Sequence, residues 1–270
     1  MNGRRIVKRT TKALIRTIIW VSIFIGVGFG TYKLTLTHYI STGQYAASAS
    51  DDSKAVVKAT TDSVAVNAIF VVDGDDGVVK HQLLEIFHSK TGKLDFVSIP
   101  VDSYCGMSKE LFATITKTNP NVPQIMSWKD LPRYFNQVTA YQYGCLMLEE
   151  SMGIHISFYT LMSETTFEKY FEEIETSSFN STNTTKGYTL NEKTCNKIKK
   201  LNSSLQMERE LASYYTEIQS NLSLTRRNTY LPAYQKADYD NIGVYALSKA
   251  TDMNQIAEEE VTYLKKLIEE

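Results

Sequence analysis

The pattern of hydrophobic residues predicts a group of buried strands in the first half of the chain. Residues 64–72 form an almost unbroken apolar run (VAVNAIFVV), which is typical of a strand buried on both faces, and the turn formers DGDDG follow at 73–77. Residues 83–88 and 94–99 predict two further strands. The turn KTGK at 90–93 separates these two strands, so they are expected to form a hairpin.

Helical patterns dominate the second half of the chain. A strand is predicted at 154–161 and a polar loop at 177–185, and Gly153 is expected to end the helix before that strand. Because strands and helices intermix, the sequence predicts an α/β (α+β) fold with a mixed central sheet flanked by helices. The predicted helices lie at 141–152, 164–174, 192–201, 205–218 and 255–268.

The N-terminal segment has the features of a membrane anchor. Residues 17–32 carry no charge, and Leu34 extends this apolar run to nearly the length of about 20 residues that a spanning helix needs. A cluster of basic residues lies directly before this run, and basic residues flanking a membrane span are typically cytoplasmic. The N-terminus is therefore expected in the cytoplasm. A cleaved signal peptide is the alternative, but its best cleavage segment, AASAS at 46–50, lies well beyond the apolar run.

The sequence therefore predicts four segments and a location in the cell membrane. The protein is expected to cross the membrane once, with its main domain outside the cytoplasm. The segments are a basic cytoplasmic stub at 1–16, a transmembrane signal anchor at 17–34, a stalk at 35–63 and an extracytoplasmic domain at 64–270.

The distribution of charge excludes one class of partner. Residues 1–50 contain seven of the 29 basic residues and none of the 30 acidic residues, so the remainder has 22 bases against 30 acids. An acidic body lacks the basic face that binding to duplex nucleic acid requires, so no nucleic acid partner is expected. Three cysteines form no disulfide framework, although the sequence leaves open whether Cys105 pairs with Cys145.

The segment 90–104, KTGKLDFVSIPVDSY, resembles the LytR-CpsA-Psr family of bacterial envelope proteins. The domains of that family carry a K-T-x-K turn and then a strand that ends S-I-P-R-D-T. The resemblance extends upstream to 64–77 and downstream through 146–174 to the segment TDM at 251–253. It implies a domain with the family's fold over roughly residues 64–265.

The resemblance also implies a chemistry. Family members transfer a glycopolymer from a polyprenyl pyrophosphate carrier to peptidoglycan. Such a site uses arginines that grip the pyrophosphate, carboxylates that hold Mg²⁺ and an apolar tunnel for the lipid. The implied partners are therefore the membrane, a polyprenyl-linked glycopolymer, peptidoglycan or other envelope proteins, and the implied cofactor is Mg²⁺.

Several residues of the implied site differ from the family pattern. The arginine of S-I-P-R-D-T is Val101 here, while its aspartate is kept as Asp102. The family's R-S-D-T aligns with VVKH at 78–81, which leaves Lys80 to bind phosphate together with Lys199. Arg209 aligns with the arginine of the family's R-Q helix, so the resemblance implies Asp102 and Arg209 as the catalytic residues. The remaining carboxylates for a metal are Asp73 and Asp75.

Each of these residues also has a structural interpretation. Asp73 and Asp75 suit a solvated turn, and Asp102 suits a hydrogen bond to the backbone after Pro100. Lys80 and Lys199 suit solvated faces. A pair of arginines at 226–227, followed by tyrosines, either binds sugar or phosphate or belongs to a surface loop with partly buried tyrosines.

Two functions follow from the sequence. Loss of bidentate arginines removes much of the preorganised charge of a phosphate site. The first hypothesis is therefore an envelope protein in cell-wall glycopolymer assembly that binds a polyprenyl-linked glycan or a partner without efficient catalysis. The alternative is an active Mg²⁺-dependent phosphotransferase in which lysines replace the arginines.

Overall fold

A computed structural model describes residues 64–73, 77–135, 140–179, 184–201, 204–236, 242–250 and 255–269. The predicted stub, anchor and stalk lie outside these residues, so all three stay predictions. Within the described ranges, no helix has the length and apolar character needed to cross a membrane.

Strands and helices alternate along the described chain. The strands are β1 (Val64–Val72), β2 (Val79–His88), β3 (Lys93–Ile99), β4 (Tyr104–Gly106), β5 (Ile125–Ser127), β6 (Phe158–Ser163), β7 (Phe171–Ser177), β8 (Thr184–Leu190), β9 (Ile218–Ser220) and β10 (Gly243–Ala246). The helices are α1 (Lys109–Thr118), α2 (Leu131–Tyr134), α3 (Ala140–Met152), α4 (Glu164–Tyr170), α5 (Glu192–Lys199), α6 (Ser204–Tyr215), α7 (Leu224–Arg227), α8 (Leu231–Lys236) and α9 (Glu258–Glu269), with short 3₁₀ turns at Trp128–Asp130 and Asn228–Tyr230.

The central sheet is mixed, as the sequence predicts. Within the described residues, its six strands lie in the order β10-β3-β2-β1-β6-β9. β1 runs parallel to β6, and β10 runs parallel to β3, whereas β2 is antiparallel to both β1 and β3. The carboxyl ends of β1, β3, β6 and β10 therefore meet at one edge of the sheet.

Alternation along the strands divides the core into two layers. Phe70 and Ile86 pack on one face, together with residues of α3 and α9. Ile69 and Phe87 pack on the other face, together with residues of α4, α5 and α8. Because successive strand side chains point to opposite faces, a strand covered on both faces becomes a continuous apolar run, and this explains the pattern at β1.

Two sequence predictions need correction in the region after β6. The strand predicted at 154–161 lies at Phe158–Ser163, and the helix predicted at 164–174 ends at Tyr170. The next residues, FEEIETS, alternate between more and less buried positions and form β7, which pairs with β8 as an antiparallel ribbon. A period of two in these residues is the strand signal that the helix prediction overlooked.

The β7–β8 ribbon packs against the central sheet near β10, the outer strand on one side of the sheet. The backbone N–H of Tyr188 donates a hydrogen bond to Ser98 Oγ (3.2 Å), and Thr176 Oγ1 donates one to the carbonyl of Val244 (2.7 Å). Gly187 permits this close approach, because a Cβ at that position would lie 2.7 Å from Thr176 Cγ2 and 2.9 Å from Val244 Cγ1. The ribbon thereby forms one wall of a cleft at the sheet edge.

The cysteines form no disulfide, so the pairing of Cys105 with Cys145 that the sequence left open does not occur. Cys105, Cys145 and Cys195 each keep a thiol that is not joined in a disulfide. Burial raises the pKa of Cys105 to about 12, which keeps this thiol protonated. All three cysteines thus act as small packing residues.

Candidate functional site

A cleft of about 230 Å³ opens at one end of the strands of the central sheet, where β3 and β10 end and β2 begins. It forms there because parallel strands leave a crevice at their carboxyl ends, where open sheets commonly bind ligands. Strand β8 of the ribbon forms one side of the cleft. The lining residues are Lys80, His81, Gln82, Ser98, Ile99, Pro100, Val101, Asp102, Thr185, Lys186, Tyr188, Ala246 and Leu247.

Asp102 lies at the mouth of the cleft, on a turn that is fixed by its neighbours. Ser103 donates two hydrogen bonds to the carbonyl of Pro100, one from its backbone N–H (3.0 Å) and one from Oγ (2.6 Å). The Asp102 side chain is 63% exposed, and Lys249 Nζ donates a hydrogen bond to its Oδ2 (2.5 Å). This hydrogen bond holds the pKa of Asp102 below its usual value, so the carboxylate is ionised at neutral pH.

Lys80 and Lys186 bring positive charge to the cleft, and each is paired with a carboxylate. Lys80 Nζ lies 3.0 Å from Asp73 Oδ2, at the start of β2. On the ribbon, Lys186 Nζ lies 2.8 Å from Glu173 Oε1. The structure thus joins Asp73, Lys80 and Asp102 at one place, whereas Asp75 lies outside the described residues.

His81 lies against aromatic rings inside the cleft. Its ring centroid is 5.1 Å from that of Phe167, with nearly parallel planes, and 4.6 Å from that of Tyr188. Burial lowers the pKa of His81 below 6.5, although the charge of Glu164 acts in the opposite direction. The imidazole is therefore neutral at pH 7 and adds no fixed positive charge to the cleft.

The lowered pKa of His81 gives an expected pH dependence of stability. Between pH 6.5 and the lower folded-state pKa, the unfolded chain binds more protons than the folded one, so stability falls as the pH falls through this range. We expect the midpoint of thermal unfolding to drop between pH 7.5 and pH 5, and to drop less in His81→Gln. Differential scanning calorimetry of both proteins measures this, and an equal drop in both would contradict the assignment.

Lys199 and Arg209 are not among the cleft residues. Lys199 is exposed in the last turn of α5, and Arg209 is exposed on α6. The two helices are joined by an ion pair between Lys197 and Glu210. The structure therefore does not group Lys199 and Arg209 with Lys80 and Asp102. The assignment of Lys199 to phosphate binding and of Arg209 to catalysis stays a prediction.

Comparison with solved structures identifies the architecture. Protein gbs0355 from Streptococcus agalactiae matches with a TM-score of 0.52 and 12% sequence identity, over 77% of this chain and 87% of that one. The protein gbs0355 has the LytR-CpsA-Psr architecture. This chain has the LytR-CpsA-Psr fold. The fold implied by the sequence resemblance is therefore confirmed.

Two further structures match over a similar length. TagV from Bacillus subtilis has a TM-score of 0.48 and 10% identity, over 77% of this chain and 96% of that one. TagT, in a structure bound to LI-WTA, has a TM-score of 0.48 and 12% identity, over 77% of this chain and 90% of that one. No family model matches the sequence, and no curated protein matches it either.

The two described carboxylates that were predicted to bind Mg²⁺ or substrate are both paired with lysines. Asp73 and Asp102 each contact a lysine ammonium, and the described residues contain no group of three or more His, Cys, Asp or Glu side chains that could hold a metal. Mg²⁺ needs several oxygen ligands in octahedral geometry. Asp75 lies outside the described residues, so the Mg²⁺ site predicted at Asp73 and Asp75 stays a prediction.

Sequence reasoning missed Gln82 and Lys186, which line the cleft, and Lys249, which pairs with Asp102. The sequence carries a signal for Gln82, because a polar residue inside the buried strand VKHQLLEIFH is unusual and marks a position of interest. The sequence carries no signal for Lys249, because its partner Asp102 is 147 positions away in the chain and a local pattern cannot show such a contact.

Arg227 belongs to a buried network rather than to a ligand site or a surface loop. Its side chain is 5% exposed, and its Nη2 lies 3.6 Å from Oε2 of the equally buried Glu85. Arg227 Nη1 donates to Tyr234 Oη (2.5 Å), and Tyr234 Oη donates to Glu85 Oε1 (2.5 Å). Burial raises the pKa of Tyr234, so its hydroxyl keeps the proton that it donates. Neighbouring Arg226 is exposed.

Proposed function

We propose that this chain is a membrane-anchored, extracytoplasmic protein that acts in bacterial cell-wall glycopolymer assembly. In this proposal, the cleft binds the phosphate of a polyprenyl-linked glycopolymer and does not catalyse its transfer efficiently. The LytR-CpsA-Psr fold supports the first part. The observation that carries the second part is the charge of the cleft. Among the described residues that line it, Lys80 and Lys186 are the cations and none is an arginine.

The paired state of these lysines favours binding over catalysis. Efficient phosphoryl transfer needs donors that already point at the developing charge, and bidentate arginines serve this purpose best. Here a phosphate has to compete with Asp73 for Lys80 and with Glu173 for Lys186. Such competition reduces the preorganised positive potential and suits a ligand that is held and released without reaction.

The alternative is an active phosphotransferase, and Asp102 is the observation in its favour. Its ionised carboxylate is 63% exposed at the cleft mouth, where it is accessible to a substrate or to a Mg²⁺ ion carried by the substrate. Under this alternative, Lys249 is displaced from Asp102 when substrate binds. Peptidoglycan would be the acceptor.

Binding and turnover are measured on the full-length chain in detergent, with a fluorescent polyprenyl-pyrophosphate-linked glycan and Mg²⁺. We expect binding without cleavage of the pyrophosphate linkage, and about a tenfold loss of affinity in Lys80→Ala, because a charge-assisted hydrogen bond is lost. Lys169→Ala is the matched control, since Lys169 also pairs with a carboxylate, that of Glu217, outside the cleft. Its affinity should stay within about twofold.

Two other results would reject the proposal. Turnover that requires Mg²⁺ and is lost in Asp102→Asn would identify the active transferase instead. Absence of binding to the wild-type chain would remove the glycopolymer function altogether.

A further inference from the structure

Lys249 lies on a chain segment that two hydrogen bonds fix beside the cleft. The backbone N–H of Leu247, a cleft-lining residue, donates to the carbonyl of Ser98 in β3 (2.9 Å). Ser248 Oγ donates to Oε1 of Glu260, a buried residue of α9 (2.9 Å). The main chain that leads into Lys249 is therefore attached to β3 and to α9, so its side chain starts from a fixed position.

The ammonium group of Lys249 has hydrogen-bond donors that the fold does not use. Its Nζ lies 2.5 Å from Asp102 Oδ2, which is its one acceptor among the described residues. An ammonium carries three N–H donors, so two remain. The Lys249 side chain is 35% exposed, and its partner Asp102 lies at the mouth of the cleft. The ammonium is therefore within reach of a ligand that enters the cleft.

Stability alone does not account for the pairing of Lys249 with Asp102. Ion pairs as exposed as this one contribute little to the free energy of unfolding, because water screens the attraction and the two side chains lose freedom. The pair instead places a positive group at a mouth where the lining contributes a negative charge, that of Asp102. The charge of Lys129 also lowers the pKa of Asp102, so a second ammonium lies nearby. The mouth therefore attracts an anion in spite of its carboxylate.

We infer that Lys249 binds the phosphate of the ligand at the cleft mouth, and that Asp102 is the positioning residue that holds its ammonium. This inference rests on the proposed function and adds a binding residue to the same site. Lysine binds phosphate as a point charge, and the carboxylate fixes the place of that charge by accepting one N–H. The ammonium then lies between two anions, Asp102 and the phosphate, so binding needs no divalent cation at Asp102. The active-transferase alternative differs, because it requires Lys249 to leave Asp102.

The test measures the affinity of the full-length chain in detergent for the fluorescent polyprenyl-pyrophosphate-linked glycan, once with Mg²⁺ and once with EDTA. We expect the two wild-type affinities to agree within about twofold, and Lys249→Met to lose about tenfold in both buffers, because a charge-assisted hydrogen bond is lost. Lys249→Arg keeps the charge and should stay within about threefold of wild type. Lys169→Met is the matched control, because Lys169 pairs with Glu217 outside the cleft, and its affinity should not change.

Asp102→Ala separates positioning from charge. If Asp102 only repelled the anionic ligand, removal of its negative charge would strengthen binding. Loss of the residue that holds Lys249 should instead weaken binding by about threefold, and Asp102→Glu, which keeps a carboxylate, should restore it. All these variants should unfold thermally near the wild-type midpoint, since the ion pair is exposed.

Three results would overturn the inference. They are wild-type binding that requires Mg²⁺, an unchanged affinity in Lys249→Met, and tighter binding in Asp102→Ala. The second of these would mean that Lys249 and Asp102 form a surface ion pair and nothing more. In each case, binding that depends on Lys80 would still support the proposed function. If the wild-type chain does not bind the probe in either buffer, both proposals fail.

Discussion

Arg227→Met is expected to lower the free energy of unfolding by about 3–5 kcal/mol, because it leaves a buried carboxylate without its cation. Glu85 is 1% exposed, and the guanidinium of Arg227 is the positive group beside it. The same substitution removes the donor that Arg227 supplies to Tyr234. Urea unfolding of the full-length chain, followed by tryptophan fluorescence, measures the change.

Two further variants distinguish the cost of leaving the Glu85 charge buried and unpaired from the cost of losing an arginine side chain. Arg226→Met removes the exposed neighbour, whose guanidinium lies 5.3 Å from the Phe158 ring centroid, and should cost less than about 1 kcal/mol. The double variant Glu85→Met/Arg227→Met should recover most of the lost stability, since apolar replacement of both partners is often nearly neutral. A loss in Arg227→Met no larger than that in Arg226→Met would show that the network contributes little.

Gly243→Ala is expected to destabilise the protein by about 3 kcal/mol through overpacking at the β10 edge. A Cβ at this position would lie 1.9 Å from Asp95 Oδ1. Asp95 is fully buried, with His88 Nε2 at 3.0 Å and Lys93 Nζ at 3.3 Å from its Oδ2. The carboxylate therefore cannot move aside without separating from these two groups.

The matched control is Gly106→Ala on β4. There, the nearest atom to a new Cβ is Ile125 Cγ1 at 4.0 Å, which is an ordinary van der Waals distance. We expect a change of less than about 1 kcal/mol, in either direction. Thermal and urea unfolding of both variants measure the effect, and a similar small change in both would mean that the β10 edge adjusts to the added methyl group.

The sequence was most informative where one element carries its own signal. The run at 64–72 corresponds residue for residue to β1, because burial of both faces leaves an apolar side chain at nearly every position. Gly153 ends α3 as predicted. Its φ is +59°, and its backbone N–H donates a hydrogen bond to the carbonyl of Glu149. The VSIP-x-D motif was sufficient to indicate the fold. Asp102 and Lys80 line the same cleft, and their roles stay predictions.

The tertiary structure decided what depends on distant parts of the chain. β9 and β10 have three and four residues, too few for a local pattern, and they become strands because β6 and β3 offer open edges for pairing. The partner of Asp102 is 147 residues away, and that of Glu85 is likewise distant in sequence. Local sequence thus determined the elements with a strong pattern of their own, such as β1 and the end of α3, because burial and turn preferences act on neighbouring residues. Only the folded chain decided which charges are paired and which arginine is buried, because those outcomes depend on contacts between residues far apart in sequence.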